Sequence, residues 1–318
     1  MCRWIAYRGE TTALERYVTE PAHSLIAQSI QALESTASIN GDGFGLGWYG
    51  QHPEPGLYRE IRPAWSDENL HHLCRHLQSH LFFAHVRAAT GTAITRVNCH
   101  PFACGRWLFM HNGSLGNWTR WRRHVEALIP DELYPSRIGT TDSEAIFLAI
   151  LGAGINGPVA AAAKVLAKLR DIVTQSEPGD RFRFTAALSD GRDLYAFRYS
   201  INDHANTLYY RESDGGIVIV SEPFDHDEDW ITVPEDRVLV AKAGEGGAFC
   251  RCLSTDSRRR NNLSVLAGGL MSYGPDYQEV FRTAVVNRPR LKDAGAGNAD
   301  ISGQTMRHRH FQVEKSPT

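Results

Sequence analysis

The feature that most constrains this chain is a cysteine directly after the initiator methionine. The side chain of Cys2 is small enough that we expect Met1 to be removed, so that one residue carries both a thiol and a free α-amine. The amine, with a pKa near ~8, is partly unprotonated at neutral pH, and the thiol, with a pKa near ~8.5, needs such a base to become a strong nucleophile. Residues 2–8 alternate loosely between polar and apolar side chains, which predicts a strand that places the terminus at a sheet edge.

Composition argues against several classes of partner. The 318-residue chain has a formal net charge of −2, with 42% hydrophobic and 22% charged residues, so we expect neither nucleic acid nor a membrane surface as a partner.

The uncharged stretch at 145–163 contains three glycines and Pro158, and it predicts two helices joined by a turn rather than a membrane span. Arg3, Arg8 and Glu10 interrupt the early sequence, so no secretory signal is predicted. The six cysteines lack the spacing of a disulfide framework, and we expect a reduced, cytoplasmic protein.

The sequence gives no support for a cofactor or a metal. The alternating glycines at 41–47 do not fit a dinucleotide-binding fingerprint, and the chain has no Gly-Lys pair of a phosphate-binding loop. Cys99, His100, Cys104 and His111 are candidate zinc ligands, but their spacing matches no standard finger. We therefore predict a protein without metal or cofactor.

The apolar periodicity predicts strands mixed with helices, followed by a second group of strands. Early strands are predicted at 2–8, 56–63, 81–87 and 107–111, and the last of these is expected to stop at a turn formed by Asn112 and Gly113. Helices are predicted at 21–31, 66–78, 118–128, 142–151 and 158–173, and later strands at 182–188, 193–198, 207–211, 216–221 and 237–241. This order is typical of a layered α+β domain with antiparallel sheets.

The end of the chain has a different composition. Residues 249–318 contain an arginine run at 258–260, a segment rich in glycine and alanine at 294–298, and few periodic apolar positions. Such a segment buries little surface to offset the entropy of ordering. We predict a domain at 1–248 and a flexible, poorly ordered tail at 249–318, so that truncation near Gly247 leaves stability nearly unchanged.

Several short motifs follow one another in a fixed order. They are Cys2, the Asn-Gly-Asp-Gly stretch at 40–43, His-Val-Arg-Ala-Ala-Thr at 85–90, His-Asn-Gly at 111–113, Thr-Asp-Ser-Glu at 141–144 and Ser-Glu-Pro-Phe-Asp at 221–225. This series resembles the signature of class II glutamine amidotransferases, and its layout is similar to the stand-alone γ-glutamyl amidohydrolase of ergothioneine biosynthesis. The resemblance covers roughly residues 1–243. It implies an N-terminal nucleophile hydrolase fold, a four-layer αββα sandwich of antiparallel sheets.

The resemblance implies a catalytic group. Cys2 would supply both nucleophile and base. The side-chain amide of Asn112 and the backbone N–H of Gly113 would form an oxyanion hole, a device whose individual donors typically change rates by about 10²–10³. The alternative for Asn-Gly is an ordinary type I′ hairpin turn.

The resemblance also implies a binding site for the γ-glutamyl group. Arg87 would hold the α-carboxylate in a bidentate contact, Thr90 would add a hydroxyl to it, and Asp142 would accept the α-ammonium group. The alternative for Asp142 is a helix N-cap. Asn40 and Asp42 would order the loop beside Cys2, and His111, like His85, would be a structural neighbour rather than a proton shuttle.

These residues together predict cysteine-dependent hydrolysis of the γ-carboxamide of glutamine or of a γ-glutamyl amide through a γ-glutamyl thioester. The small-molecule substrate is thus glutamine or a γ-glutamyl amide, and the released ammonia would either be a by-product or pass to a separate ammonia-accepting synthase. The alternative is a non-catalytic protein on the same fold that binds a γ-glutamyl ligand or regulates a partner.

Overall fold

The computed structural model describes residues 1–34, 39–154, 157–174, 180–213, 215–244 and 248–252. The strands are β1 (Arg3–Ala13), β2 (Phe44–Trp48), β3 (Gly56–Glu60), β4 (Gln78–Val86), β5 (Phe102–Cys104), β6 (Trp107–Leu115), β7 (Phe182–Ser189), β8 (Leu194–Ile201), β9 (Tyr209–Ser213), β10 (Gly216–Val220), β11 (Ile231–Thr232), β12 (Arg237–Ala241) and β13 (Ala248–Cys252). The α-helices are α1 (Glu15–Val18), α2 (Leu25–Ile30), α3 (Glu68–His76), α4 (Trp118–Glu126), α5 (Asp142–Gly152) and α6 (Pro158–Thr174), and short 3₁₀ turns occupy Ala64–Ser66, Arg96–Asn98 and Tyr134–Ser136.

The strands form two antiparallel sheets. The first has seven strands in the order β11-β9-β10-β1-β4-β2-β3, and the second has six in the order β13-β12-β8-β7-β6-β5. β1 lies between β10 and β4 in the interior of its sheet, so the expectation that this strand places the terminus at a sheet edge was wrong. Both sides of β1 are paired, which fixes its direction and hence the position of the chain terminus.

Three apolar layers hold the sheets and helices together. Trp4 and Met110 belong to the core between the two sheets. Ile5, the next residue along β1, packs in the core under α1, α2 and α3, and Phe109 packs in the core under α4, α5 and α6. Alternation of side chains along each strand therefore separates an inner face from a helix-covered outer face. The predicted αββα sandwich is confirmed.

Helix α5 is the most deeply buried helix next to the site. Its residues from Ser143 to Leu151 are buried, as expected for a helix that is apolar on all sides. The side chain of Thr141 accepts a hydrogen bond from the backbone N–H of Glu144 (3.2 Å) and caps the helix. This cap places Asp142 in the first turn, at the end of β6.

The strand that carries Asn112 and Gly113 is longer than predicted. β6 continues to Leu115, and Asn112 and Gly113 pair with Thr185 and Phe184 of β7. The predicted turn at this dipeptide was therefore wrong, because pairing with β7 overrides the local preference of Asn-Gly. The chain turns later, near Asn117, whose φ is 54°.

Strand β13 was not predicted. The last predicted strand ended at Ala241, whereas residues 248–252 form a further strand that pairs with β12. The predicted domain boundary at 248/249 falls within this strand, and the rest of the predicted tail, 253–318, lies outside the described residues. Within the described ranges, none of the helices combines the length and the apolar character needed to cross a membrane.

Candidate active site

The inner faces of the two sheets end in a group of polar side chains. Trp4 of β1 and Met110 of β6 pack in the layer between the sheets. Because successive side chains point to opposite faces, Cys2 and Asn112, each two residues away, face the same layer. Arg183, which pairs with Ser114 near the end of β6, has its Nη1 3.6 Å from the sulphur of Met1, so the start of β1 and the end of β6 lie at the same end of the sandwich.

Cys2 lies half-buried at this end. Its thiol donates a hydrogen bond to the carbonyl oxygen of Ala88 (Sγ–O 3.6 Å). Burial raises the pKa of the Cys2 thiol, and the positive charges of the terminal amine and Arg87 oppose this effect. The thiol is therefore protonated at rest and needs a base before it can attack a carbonyl carbon.

The amine of the residue before Cys2 lies in partly buried surroundings. The structure contains Met1, and burial is the main cause that lowers the pKa of its α-amine, assisted by the charges of Arg3 and Arg183. A lowered pKa increases the unprotonated fraction of the amine at neutral pH. After removal of Met1 the α-amine belongs to Cys2 and lies next to the thiol that it would deprotonate.

The backbone next to Cys2 is held by side chains from the end of the domain. Arg3 donates from Nη1 to the carbonyl oxygen of Cys2 (3.0 Å) and from Nε to Glu222 (2.6 Å). The backbone N–H of Trp4 donates to the hydroxyl of Ser221 (2.9 Å), and the N–H of Ser221 donates to the carbonyl of Trp4 (3.1 Å). These bonds restrain a terminus that would otherwise fray.

The side chain of Asn112 is buried and unpartnered. It is 1% exposed, and neither its amide nitrogen nor its amide oxygen has a hydrogen-bond partner among the described residues. Leaving a buried amide unsatisfied costs roughly 1–3 kcal/mol, so such a group indicates a place for a ligand. Its backbone oxygen is held by the side-chain amide of Asn206 (3.1 Å).

Gly113 is required by close packing. A Cβ atom at this position would overlap the carbonyl oxygen of Arg183 and the imidazole of His111. The absence of a side chain lets β6 approach β7 closely and leaves the backbone next to Asn112 accessible. The sequence pair Asn-Gly is thus explained by strand packing rather than by a turn.

His111 supports this strand from the helix side. Its Nδ1 lies 2.9 Å from the hydroxyl of Ser143, and its Nε2 lies 3.1 Å from the carbonyl oxygen of Arg183. Burial lowers the pKa of His111, and the negative charge of Asp142 opposes this effect. The ring therefore links β6, β7 and α5 and faces away from the layer that contains Asn112.

Two further histidines lie together under the site. The rings of His85 and His100 are 4.3 Å apart, and His85 Nε2 lies 3.3 Å from the carbonyl oxygen of His111. Burial lowers the pKa of His85 to about 3 and also lowers the pKa of His100. Both rings are neutral near pH 7, which agrees with a structural place for His85 rather than proton transfer.

Arg87 is buried at the end of β4. Its guanidinium group donates to the hydroxyl of Thr92 (2.8 Å) and weakly to the carbonyl oxygen of Asp42 (3.4 Å). Thr90, which we expected beside the same guanidinium group, is exposed. The hydroxyl found there belongs to Thr92, which sequence reasoning missed.

Asp42 and Asn40 tie this loop to neighbouring segments. The carboxylate of Asp42 accepts from the backbone N–H of Ala89 (2.7 Å), directly after the carbonyl that contacts Cys2. The backbone N–H of Asn40 donates to Ser29 (2.7 Å), and its side-chain amide donates to Gln28 (3.4 Å). These contacts fit the predicted place of both residues in ordering the loop.

Asp142 lies at the start of α5, but Thr141 is the N-cap. The carboxylate of Asp142 accepts from the backbone N–H groups of Leu115 (2.7 Å) and Ser143 (2.8 Å). These bonds connect the end of β6 to α5. Each carboxylate oxygen can accept more than one hydrogen bond, so the group can still accept from an ammonium group.

Asn98 connects the Arg87 loop to the start of α5, and sequence reasoning missed it. Its side chain donates to the carbonyl of Ala93 (2.9 Å) and accepts from the backbone N–H of Thr140 (2.8 Å). Arg87 also contacts the Ala93 carbonyl (3.4 Å). Asn98 and Thr140 are 42 residues apart in sequence, so no local pattern indicates the contact. Among the described residues, no group of His, Cys, Asp and Glu side chains is arranged to hold a metal ion.

Known proteins match both the sequence and the fold. The family model for class II glutamine amidotransferases matches residues 18–210, a stretch that contains Arg87, Asn112 and Asp142 and begins after Cys2. The chain is 31% identical to the "Probable glutamine amidotransferase DUG3" of Saccharomyces cerevisiae over 76% of this chain and 82% of that protein. It is 29% identical to the "Gamma-glutamyl-hercynylcysteine sulfoxide hydrolase" of Mycobacterium tuberculosis over 77% and 94% of the two chains.

A solved structure gives the same result. The class II domain protein from Silicibacter pomeroyi, described as a glutamine aminotransferase, is 37% identical, with a TM-score of 0.61. The match covers 80% of this chain and 100% of that chain. The order of the motifs, the sandwich fold and the family match agree, and the chain belongs to the class II glutamine amidotransferases.

Proposed function

We propose that Cys2 is the nucleophile, that Asn112 and Gly113 form the oxyanion hole, and that Arg87 and Asp142 bind the γ-glutamyl group. As a class II glutamine amidotransferase, the chain is an enzyme that hydrolyses the amide of glutamine or of a γ-glutamyl amide. The observation that carries the assignment of residues is the buried, unpartnered amide of Asn112, which faces the same layer as Cys2. No feature of the described residues favours a non-catalytic protein.

The first half of the reaction forms a thioester. The α-amine of Cys2, after loss of Met1, takes the thiol proton directly or through a bridging water, and the thiolate attacks the δ-carbon of the γ-glutamyl amide. The carbonyl oxygen becomes an oxyanion that accepts from the side chain of Asn112 and the backbone N–H of Gly113. The C–N bond then breaks, and the leaving amine takes the proton back from the α-ammonium group.

The second half releases glutamate. The same amine removes a proton from water, which attacks the thioester carbon while the oxyanion site is used again. Breaking of the C–S bond returns the thiol of Cys2. The sum of both steps is amide plus water giving glutamate plus ammonia or a free amine, so neither an oxidant nor a cofactor is required.

Arg87 and Asp142 are assigned to the two groups of the substrate whose charge stays constant during the reaction, the α-carboxylate and the α-ammonium group. Arg87 would contact the α-carboxylate, supported by Thr92 and with Thr90 as the further predicted hydroxyl, and Asp142 would contact the α-ammonium. Asn98 supports this assignment, because it connects the Arg87 loop with the segment before Asp142. Asn40, Asp42 and His111 would keep the surrounding backbone in place.

The fate of the released amine stays a prediction. A relative is named as a hydrolase of a γ-glutamyl compound, which supports hydrolysis as the purpose of the reaction. A separate synthase that accepts ammonia is the alternative, and a cytoplasmic location fits the need of Cys2 for a reduced thiol. Copurification of a synthase with the tagged protein would favour that alternative.

Labelling with a glutamine-like diazoketone tests the assignment. We expect one adduct, on Cys2 of a chain that lacks Met1, and we expect γ-glutamyl amides to protect against it. The Cys2→Ala variant is the control and should remain unlabelled. A second version with a residue added before Cys2 should be inactive, because the base is displaced. Full activity of that version, or an adduct on another cysteine, would overturn the mechanism.

A further inference from the structure

Arg183 lies at the open end of the layer between the sheets. It is on β7, where it pairs with Ser114 of β6, next to the pairing of Gly113 with Phe184. Ala187 of β7 belongs to the inter-sheet core, so Arg183, four residues earlier, faces the same side of the sheet. Its side chain is 34% exposed, and it therefore reaches solvent at the mouth of the candidate site.

The carboxylate of Asp203 holds the guanidinium group of Arg183 on one side, and the other side is directed towards the N-terminus of the chain. Nε of Arg183 donates to Asp203 (2.7 Å), whereas Nη1 lies 3.6 Å from the thioether sulphur of Met1. The charge of Arg183 also contributes, after burial and the charge of Arg3, to lowering the pKa of the terminal amine. Arg183 is thus oriented towards the group that precedes Cys2.

Met1 occupies the space between Arg183 and Cys2. It is joined by an amide bond to the nitrogen of Cys2, which is the nitrogen we assign as the base. The leaving amine must lie close to that nitrogen, because it receives its proton there. The sulphur of Met1 is a weak acceptor, and it stands where an anionic oxygen of the leaving group would meet Arg183. Met1 thus spans the gap between the nitrogen of Cys2 and the guanidinium group of Arg183.

We propose that Arg183 binds a carboxylate on the leaving amine, so that the preferred substrates are γ-glutamyl amides of amino acids or peptides rather than glutamine. This inference rests on the proposed function of Cys2. The α-carboxylate of the γ-glutamyl group is assigned to Arg87, which is buried inside the site, and Arg183 provides a second, separate cation at the mouth. A guanidinium group held by one carboxylate through Nε keeps its two Nη groups for a bidentate contact.

Two matched substrates and two matched variants test the proposal. γ-Glutamylglycine has a carboxylate on the leaving amine, and γ-glutamylmethylamide has a neutral leaving amine of similar size at the scissile bond. We expect wild-type kcat/KM to be about 10–100-fold higher for γ-glutamylglycine, the range given by a hydrogen bond to a charged group. Arg183→Gln should lose this factor, so that kcat/KM becomes about equal for the two substrates. An effect of the lost charge on the terminal amine would change both substrates alike and leave their ratio unaffected.

Arg181→Gln is the control for the charge change. Arg181 is an exposed arginine two residues away, and its substitution should leave the ratio between the two substrates unchanged. Arg183→Lys keeps the positive charge beside Asp203 and should retain part of the preference, which separates charge from folding if Arg183→Gln is unstable.

Each outcome has a distinct meaning. An equal loss for both substrates in Arg183→Gln, or a wild-type enzyme without preference for γ-glutamylglycine, would overturn the assignment of Arg183 and leave the proposed function intact. Failure of the wild-type enzyme to cleave either substrate or glutamine, together with an unlabelled Cys2, would overturn both.

Discussion

Glu222 and Arg3 form a buried ion pair, with 2.6 Å between Nε and Oε2 and side chains that are 1% and 2% exposed for Arg3 and Glu222. The same arginine holds the carbonyl of Cys2. Glu222 also accepts from the backbone N–H groups of Leu33 (2.8 Å) and Glu34 (3.0 Å). A segment far from the terminus in sequence thus determines where the proposed nucleophile is held.

Substitution of Glu222 by Gln should lower both stability and turnover. It leaves the guanidinium group of Arg3 buried without a counter-charge, a change that typically costs about 3–5 kcal/mol. We expect a lower free energy of unfolding in urea and a kcat reduced by more than about 10-fold, because the Cys2 carbonyl loses its fixed donor.

A double variant separates the two effects. Arg3→Met combined with Glu222→Met replaces the ion pair by apolar side chains, which is often neutral for stability. We expect its unfolding free energy to lie between those of Glu222→Gln and the wild type, because the N–H groups of Leu33 and Glu34 lose their acceptor, while kcat stays low and KM changes little. Asp225→Asn is the control, because Asp225 lies on the same segment as Glu222 and forms an ion pair with Arg211 of β9 instead. This variant should leave kcat unchanged. Wild-type kcat in a stable double variant would contradict the positioning of Cys2 by Arg3.

Substitution of Asn112 by Ala should chiefly lower kcat. The donor becomes effective when the oxyanion forms, so its loss should reduce kcat by about 10²–10³ with a small change in KM. Because the side chain has no partner among the described residues, its removal should cost little stability. Steady-state kinetics and thermal unfolding of the same sample check both statements. A raised KM with unchanged kcat would mean that Asn112 binds the ground state.

Arg87→Lys and Asp142→Asn should chiefly raise KM. Both side chains are assigned to substrate groups whose charge is constant during the reaction, so their loss weakens ground state and transition state alike. Lysine cannot reproduce a bidentate contact, and we expect an increase in KM of about 10-fold or more for Arg87→Lys. Substrate-concentration series for γ-glutamyl amides provide the measurement. A loss of kcat alone would mean that we have exchanged the two sites.

Stability should fall as the pH decreases from 6.5 towards 5. His85, His100 and His111 have pKa values lowered by burial, so they stay neutral when folded but bind protons when unfolded, below the ordinary pKa of 6.5. The unfolded state then holds more protons, and each such histidine reduces stability by up to about 1.4 kcal/mol per pH unit. Carboxylates with lowered pKa, such as Glu222, contribute below their ordinary value of 4.5.

His100→Phe provides the comparison for this pH dependence. Neither ring nitrogen of His100 has a partner among the described residues, so phenylalanine loses no hydrogen bond there. Urea unfolding between about pH 5 and 6.5 should give a slope smaller by about one proton than that of the wild type. An identical slope would show that His100 is not a neutral buried histidine in the native state.

The sequence predicted the parts of the site that depend on local order. The alternation near Cys2 indicated β1, and the motif at 141–144 indicated the start of α5, because strand and helix periodicity act over a few residues. The contact between Arg3 and Glu222 joins residues 219 positions apart, and no local pattern specifies it.

The turn predicted at Asn112 and Gly113 was wrong for a related reason. The preference of Asn-Gly for a turn is a local property, whereas the pairing of β6 with β7 involves residues more than 70 positions later. Gly113 is explained by the closeness of the Arg183 carbonyl, which only the assembled sheet provides. Thr92 and Asn98 were missed because their contacts depend on how the loop before β5 folds back.

The end of the chain gives a prediction that differs from our expectation based on sequence alone. β13 pairs along its length with β12, from Arg237 with Cys252 to Ala241 with Ala248. Truncation after Gly247 removes this strand and makes β12 the edge of the six-stranded sheet, although Val238 and Leu239 pack in the cores. We therefore expect a clear decrease in Tm for that truncation. Truncation after Cys252 keeps the pair and should leave Tm and glutaminase activity nearly unchanged, as the composition of 253–318 predicts. Equal Tm values for both truncations would show that β13 contributes little to stability. A loss of activity without a decrease in Tm in the chain truncated after Cys252 would place residues 253–318 over the active site.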